Sequence, residues 1–165
     1  MAKRILVVYA SRGGSTAEVA DTIAQELSYD GVVAEATSIK GAKNITSFDA
    51  IVLGTAIRMG RPLPEMVSFV KSYRPILSTK KVALFGLCMT LKDDTPENRK
   101  LSESYLAPLT SLFSPVDKQM FAGKIDPARI GLLSRFAIKM VKAPIGDFRL
   151  WDTIRNWARA LNSKL

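Results

Sequence analysis

A run of small and hydroxyl-bearing residues, Ser11-Arg12-Gly13-Gly14-Ser15-Thr16, follows the apolar stretch Arg4–Tyr9 and leads directly into a helix-period segment. The N-terminus of a helix presents free backbone N–H groups and a positive dipole end, which together favour an anion. The two glycines allow the backbone to turn tightly and approach a phosphate group closely, and Arg12 adds a positive charge. Simple capping of the helix by Ser15 or Thr16 would not need six such residues in a row. The run therefore predicts a phosphate-binding loop.

Motifs that the sequence lacks narrow the kind of phosphate ligand. The loop has neither the lysine and spacing of a nucleotide P-loop nor the three glycines of a dinucleotide fingerprint. The single cysteine, Cys88, is followed by MTLKDD, without the arginine that a thiolate phosphatase loop needs. Because the chain has no histidine, it cannot form a Ser-His or Cys-His nucleophile pair or a histidine metal site, and we expect no metal. Any chemistry must then come from a bound group.

Apolar runs that alternate with helix-period segments must position this loop. The candidate strands are Arg4–Tyr9, Val32–Ser38, Asp49–Thr55, Lys81–Cys88 and Asp117–Ala122. The candidate helices are Thr16–Tyr29, Leu63–Tyr73, Pro96–Phe113 and Trp151–Lys164. This alternation predicts an α/β fold with a five-stranded parallel sheet that is covered on both faces. With 165 residues, of which 47% are hydrophobic and 24% charged, residues 1–165 are expected to form a single domain.

Ligands of such sheets bind beyond the carboxyl ends of the strands, and three segments there resemble the FMN loops of flavodoxins. SRGGST is similar to their phosphate loop, GTAIRMGRP to their second flavin loop, and GLCMTLKDD to their third. Within that superfamily, Arg12, the A-x-I-R-x-G pattern and the tail SRFAIKMVKAPIGDFRLWDTIRNWARAL resemble flavodoxin-domain proteins of the menaquinone-dependent protoporphyrinogen IX dehydrogenase type. The resemblance implies a flavodoxin-like three-layer α/β/α fold with strand order 2-1-3-4-5, and FMN as the cofactor.

The same resemblance implies which residues bind FMN. The residues for its phosphate are Ser11, Arg12, Gly13, Gly14, Ser15 and Thr16. The residues on one side of the isoalloxazine are Thr55, Ala56, Ile57, Arg58, Met59 and Gly60, and those on the other side are Leu87, Cys88, Met89 and Thr90. Neither of these two loops contains an aromatic residue, so aliphatic side chains would have to cover the ring. The resemblance assigns no catalytic residue.

Two functions remain open at this point. In the first, the protein is an FMN-binding flavodoxin-like electron carrier whose partners are redox proteins. In the second, it is a quinone-linked FMN-dependent dehydrogenase of the protoporphyrinogen oxidation type. In either case the protein residues would position and tune the flavin rather than perform acid-base chemistry.

The net charge of +9 indicates an anionic partner. Residues 118–142 hold six basic residues and only one acidic residue, Asp126. If Leu132–Lys142 is helical, Arg135, Lys139 and Lys142 share one narrow arc beside a wide apolar face. Such a helix could lie on an anionic membrane, or it could pack on its own sheet with the basic stripe in water. Nucleic-acid binding is not favoured, because the sequence has no recognised motif for it.

The N-terminal apolar run is too short for a signal peptide, and no stretch of the sequence is long enough to span a membrane. We therefore expect a cytoplasmic protein, with or without a peripheral contact at the inner face of the membrane.

Overall fold

The computed structural model describes residues 1–129, 131–140 and 145–165. The strands are β1 (Lys3–Ala10), β2 (Val32–Ser38), β3 (Ala50–Arg58), β4 (Arg61–Pro62), β5 (Lys81–Cys88), β6 (Asp117–Ala122), β7 (Lys124–Ile125) and β8 (Gly146–Asp147). The α-helices are α1 (Ser15–Leu27), α2 (Pro64–Leu77), α3 (Pro96–Ser104), α4 (Ala107–Thr110), α5 (Leu132–Met140) and α6 (Trp151–Leu161). Short 3₁₀ turns cover Ile39–Gly41, Ile45–Ser47, Met89–Lys92 and Pro127–Arg129.

The main sheet has its long strands in the order β2-β1-β3-β5-β6, and all of these neighbours are parallel. The predicted order 2-1-3-4-5 is confirmed, because the five predicted strands occupy these places in turn. The sheet gains a sixth strand, β4, which pairs antiparallel with the end of β3. The central strands are apolar on both faces because helices cover both sides, and every residue from Ile5 to Val8 is at most 1% exposed.

Two helical layers enclose the sheet and complete the three-layer α/β/α architecture. On one face, α1 and α6 pack against the inner strands, and Trp157 contacts the rings of Phe85 and Phe121 with centroids 6.1 and 5.6 Å apart. On the other face, buried residues of α2 and α4, including Met66 and Leu109, cover the opposite side of the same strands.

The helices predicted over Thr16–Tyr29 and Trp151–Lys164 end two and three residues earlier, at Leu27 and Leu161, and two other predicted helices differ more. The segment Pro96–Phe113 forms two helices rather than one, since α3 ends at Ser104 and α4 begins at Ala107. Pro108, near the start of α4, explains the break, because a proline inside a helix lacks the N–H donor and clashes with the preceding turn. In the other case α2 continues one turn past the predicted end at Tyr73 and across Pro75. Burial of Leu77 in the core favours this extra turn.

The short strands β7 and β8 pair antiparallel, with Ile125 opposite Gly146. They bracket residues 126–145, which we call the bracketed segment and which contains α5. A helix was predicted over Leu132–Lys142, and the structure has α5 from Leu132 to Met140, while Lys142 lies outside the described residues. Among the helices of the described part of the chain, none has the length and apolar character needed to cross a lipid bilayer.

Candidate functional site

The parallel sheet brings the three predicted loops to one edge. Across the sheet, Ala10 at the end of β1 is paired with Thr55 in β3, and Thr55 is paired with Gly86 in β5. These paired residues lie near the carboxyl ends of three adjacent strands, and each strand continues from there into one of the loops. The predicted phosphate loop, the β3–β4 hairpin and the turn after β5 therefore start side by side.

The first loop is folded as a tight turn that leads into α1. Gly14 occupies the position before the helix with φ 88°, a left-handed conformation that favours glycine, and its N–H donates to Ser11 Oγ at 3.0 Å. No side chain caps the first turn of α1. The Thr16 side chain is fully buried there, and its hydroxyl has no hydrogen-bond partner among the described residues.

An unpaired buried hydroxyl costs about 1–3 kcal/mol, so the loop is unfavourable unless a ligand supplies the missing bond. The uncapped helix start, the glycine turn and the Thr16 hydroxyl all suit the oxygens of a phosphate group. The residues present thus fit the phosphate end of a flavin nucleotide.

A buried arginine supports this loop from a distant part of the chain. The side chain of Arg149 is 3% exposed, and its Nη1 lies 2.6 Å from Glu18 Oε2 and 3.2 Å from the Ser15 carbonyl oxygen. Its Nη2 lies 2.8 Å from Asp147 Oδ2. These hydrogen bonds from Arg149 lower the pKa of both Glu18 and Asp147, and the bond with Asp147 raises the pKa of Arg149. The sequence predictions gave these residues no role, since more than a hundred positions separate Glu18 from Arg149.

The second loop is a two-residue hairpin between Arg58 and Arg61. Its central residues, Met59 and Gly60, both have positive φ angles of 52° and 72°, as a tight hairpin turn requires. Met59 is fully exposed at the tip. Thr55 is fully buried, and its hydroxyl donates to the Ala56 carbonyl at 2.9 Å and accepts from the Leu63 N–H at 3.2 Å.

Of the residues predicted for this side of the flavin ring, Met59 is therefore the one that the turn presents to solvent. Ala56, Ile57 and Arg58 are partly exposed at the base of the hairpin. The Thr55 hydroxyl fixes the hairpin to the start of α2 instead.

The third loop turns sharply after β5. Leu87 and Cys88 are buried, whereas Met89 and Thr90, in the 3₁₀ turn, are partly exposed. Burial raises the pKa of the Cys88 thiol, which disfavours the reactive thiolate.

An aromatic residue, Tyr105, joins the second and third loops, and the sequence predictions missed it. Its hydroxyl lies 3.2 Å from Thr90 Oγ1, and its ring carbon Cε1 lies 3.3 Å from the place of a Cβ on Gly60. Tyr105 was predicted inside a continuous helix, whereas the break between α3 and α4 puts it beside the hairpin.

Arg12, the predicted cation of the first loop, is paired with α2. Its Nη2 lies 2.9 and 3.2 Å from the two carboxylate oxygens of Glu65. The pKa of Glu65 is lowered, chiefly by its own backbone N–H at the start of α2 and further by Arg12. The pair links the phosphate loop to the helix that follows the hairpin.

The helix α5 lies in the bracketed segment with its apolar side chains in solvent. Leu132, Leu133, Phe136 and Met140 are 64–88% exposed, and Arg135 and Lys139 are exposed on the same helix. The alternative in which this face packs on the sheet does not hold for these residues. Large exposed apolar patches mark surfaces that contact another molecule.

Comparison with known proteins gave the following matches. Residues 6–149 match the model of the family described as Flavodoxin domain. The protoporphyrinogen IX dehydrogenase [quinone] of Escherichia coli strain K12 is 23% identical over 172 residues, which cover 96% of this chain and 94% of that protein.

Solved structures of flavodoxins superimpose on the fold. A flavodoxin from the domain Archaea gives a TM-score of 0.60 at 16% identity, covering 98% of this chain and 97% of its own. The flavodoxin mutant K13G of Fusobacterium nucleatum, bound to flavin mononucleotide, gives a TM-score of 0.53 at 20% identity, covering 73% and 68%.

Proposed function

Because the chain belongs to the Flavodoxin domain family, we propose that it is an FMN-binding redox protein that transfers electrons. The observation that carries the proposal is the buried, unpaired hydroxyl of Thr16 in the uncapped first turn of α1. The flavin nucleotide bound to the Fusobacterium neighbour supports the same ligand class.

The three loops would bind different parts of FMN. Ser11, Arg12, Gly13, Gly14, Ser15 and Thr16 would hold the phosphate, and the ring would lie between the β3–β4 hairpin and the turn at Cys88–Thr90. FMN, when bound, accepts and releases electrons, whereas the protein binds it and sets its electrostatic environment. Arg12, Arg58 and Arg61, in or beside the flavin loops, should make reduction easier, because positive charge favours a reduced, anionic ring.

Substitution of Thr16 by valine tests the phosphate loop, because valine keeps the size of threonine and removes the hydroxyl. We expect Thr16→Val to weaken FMN binding by about tenfold, in line with the loss of one hydrogen bond to a charged group. Riboflavin, which lacks the phosphate, should bind equally to both proteins. Titration monitored by quenching of flavin fluorescence measures the two affinities.

Thr22→Val is the matched control, since Thr22 lies on the same helix and its hydroxyl donates to the Glu18 carbonyl at 3.1 Å. It should leave FMN affinity unchanged. Failure of the unmodified protein to bind FMN would overturn the proposed function.

The second candidate is a quinone-linked dehydrogenase that oxidises a protoporphyrinogen. It is favoured by the Escherichia coli relative, whose match extends over 96% of this chain. In this function the partner that receives electrons is a quinone rather than a redox protein.

Anaerobic reoxidation separates the two candidates. The FMN-loaded protein would be reduced stepwise and then mixed with a menaquinone analogue, while the flavin absorbance is followed. Rapid reoxidation, together with quinone-dependent loss of protoporphyrinogen, would support the dehydrogenase. Indifference to quinone would support a carrier whose partners are proteins.

We further propose that α5 provides a peripheral contact with an anionic membrane. Its exposed apolar residues can enter the lipid interface, and Arg135 and Lys139 can contact anionic headgroups. Lys142, also predicted for this contact, lies outside the described residues. A cytoplasmic protein bound to the inner face of the membrane would be close to a lipid-soluble quinone.

Co-sedimentation with vesicles tests this contact. The unmodified protein should sediment with vesicles that contain phosphatidylglycerol and less with neutral phosphatidylcholine vesicles. Phe136→Ser should reduce binding several-fold, whereas Tyr29→Ser, which removes another exposed aromatic residue at the far end of α1, should not. If Phe136→Ser instead abolishes a protein dimer in solution and lipid binding is absent, α5 contacts a second copy of the chain.

A further inference from the structure

Arg129 lies against the glycine turn of the phosphate loop, although it comes from the bracketed segment. A Cβ placed on Gly14 would be 3.5 Å from Arg129 Nη1. The same nitrogen lies 2.6 Å from Glu18 Oε1, in the first turns of α1. The guanidinium therefore lies beside both the glycine turn and the first turn of α1.

Two arginines pair with Glu18, but only Arg149 is buried and has a second acidic partner at a short distance. Arg149 is buried, contacts Glu18 Oε2 at 2.6 Å, and also pairs with Asp147. Arg129 is 52% exposed, and its second acidic neighbour, Asp126, lies 3.9 Å away. Exposed ion pairs of this kind are weak, so a phosphate group can replace Glu18 as the partner of Arg129.

The arginine that the sequence places in the loop is engaged elsewhere. Arg12 makes two hydrogen bonds to Glu65 at the start of α2. Arg129, 115 residues further along the chain, thus supplies a second positive charge beside the turn at Gly14.

We propose that Arg129 is a binding residue for the cofactor's phosphate group, and that it exchanges its bond with Glu18 Oε1 for bonds to phosphate oxygens. This inference rests on the proposed function. The planar guanidinium can donate two parallel hydrogen bonds to a phosphate, while Arg149 keeps Glu18 paired. Arg129 then adds selectivity for the phosphorylated flavin over riboflavin.

The experiment compares Arg129→Gln with Arg159→Gln. Arg159 is the matched control, because it is also exposed, at 60%, and its Nε lies 2.7 Å from Glu26 on the same helix α1. Glu26 is eight residues beyond Glu18, about 12 Å along the helix and away from the loop. Affinities for FMN and for riboflavin are measured by fluorescence quenching on each purified protein.

We expect Arg129→Gln to weaken FMN binding by about tenfold and to leave riboflavin binding unchanged, as the loss of charge-assisted bonds to one group predicts. Arg129→Lys should recover part of the loss, and Arg159→Gln should match the unmodified protein. Thermal unfolding without flavin monitors the fold of each variant.

The inference is overturned if Arg129→Gln leaves FMN affinity unchanged, or if it weakens FMN and riboflavin equally. These results differ from failure of the proposed function, in which the unmodified protein itself binds no FMN. That last result would overturn both.

Discussion

At the scale of single residues, Arg149 connects parts of the chain that are far apart in sequence. It pairs with Asp147 in β8 and with Glu18 in α1, and its guanidinium lies 4.7 Å from the centre of the Trp151 ring. A buried cation is stable only where its hydrogen bonds are satisfied. The position of the loop at Ser11–Thr16 therefore depends on the chain that enters α6.

Replacement of Arg149 by methionine should lower the free energy of unfolding by about 1–2 kcal/mol, because two carboxylates that are 36% and 40% exposed lose their shared partner. Urea unfolding followed by circular dichroism measures the change. Arg155→Met is the control, since Arg155 also lies beside Trp151 but is 41% exposed, with acidic partners at 3.5 and 3.7 Å. It should cost well below 1 kcal/mol. Equal losses for both variants would contradict the role of Arg149.

The same cluster predicts how stability changes in acid. The pKa values of Glu18 and Asp147 are lower in the folded protein than in the unfolded chain, where they are about 4.3 and 3.9. Their contribution is thus complete above those unfolded values, and it is lost as the pH falls through the lower folded values.

We expect the midpoint temperature of thermal unfolding to decrease when the pH is lowered below about 4.5. The decrease should be smaller for Arg149→Met. Scanning calorimetry between pH 3 and pH 7 measures this difference. Parallel pH profiles for the two proteins would show that the cluster does not contribute to acid stability.

At the scale of elements, the turn of the β3–β4 hairpin is positioned by its contact with Tyr105, between α3 and α4. Gly60 has a left-handed φ of 72°, and its Cα faces the ring of Tyr105. Tyr105 in turn contacts Thr90 in the turn after β5. Tyr105 therefore links the two loops proposed for the flavin ring.

Gly60→Ala should destabilise the protein by about 1–2 kcal/mol through its left-handed conformation, with a further loss from contact with Tyr105. Gly31→Ala is the control, because Gly31 has a similar φ of 81° and nothing within 4 Å of the added methyl group. The difference between the two variants in chemical unfolding gives the cost of the Tyr105 contact. No difference would mean that the ring moves freely aside.

The sequence predicted the elements that depend on local patterns. The five predicted runs formed the five parallel strands. Those of the central strands β1, β3 and β5 are largely buried and apolar because both faces are covered, whereas the edge strands β2 and β6 are partly exposed and less apolar. The sequence did not predict the division between α3 and α4, although Pro108 signals it, nor the short pairs β4 and β7–β8.

For the candidate site, the sequence indicates only the features that are local to one loop. The glycine turn at Gly13 and Gly14 and the hydroxyls beside it are local features of one loop. Tyr105, Arg129 and Arg149 reach the loops through the fold, so no spacing in the sequence could have indicated them.

At the scale of the whole molecule, the net charge of +9 and the exposed face of α5 point to the same class of partner. Salt screens charge over about 10 Å at 0.1 M and about 3 Å at 1 M. We therefore expect vesicle binding to weaken strongly between 0.1 and 0.5 M NaCl, while apolar contacts of α5 leave a residual fraction bound. Co-sedimentation at several salt concentrations measures it. Binding that does not respond to salt would exclude a contribution from the basic residues.

The pairing of Ile125 with Gly146 has a consequence for how this protein could have arisen. The two ends of the bracketed segment are neighbours, so a short turn could replace it without a change in any strand of the main sheet. A gene could therefore gain or lose this stretch in one step while the main sheet stayed intact. Arg129 and α5 lie within that stretch. One such event would therefore have supplied both the proposed contact of Arg129 with the phosphate loop and the proposed contact of α5 with a membrane.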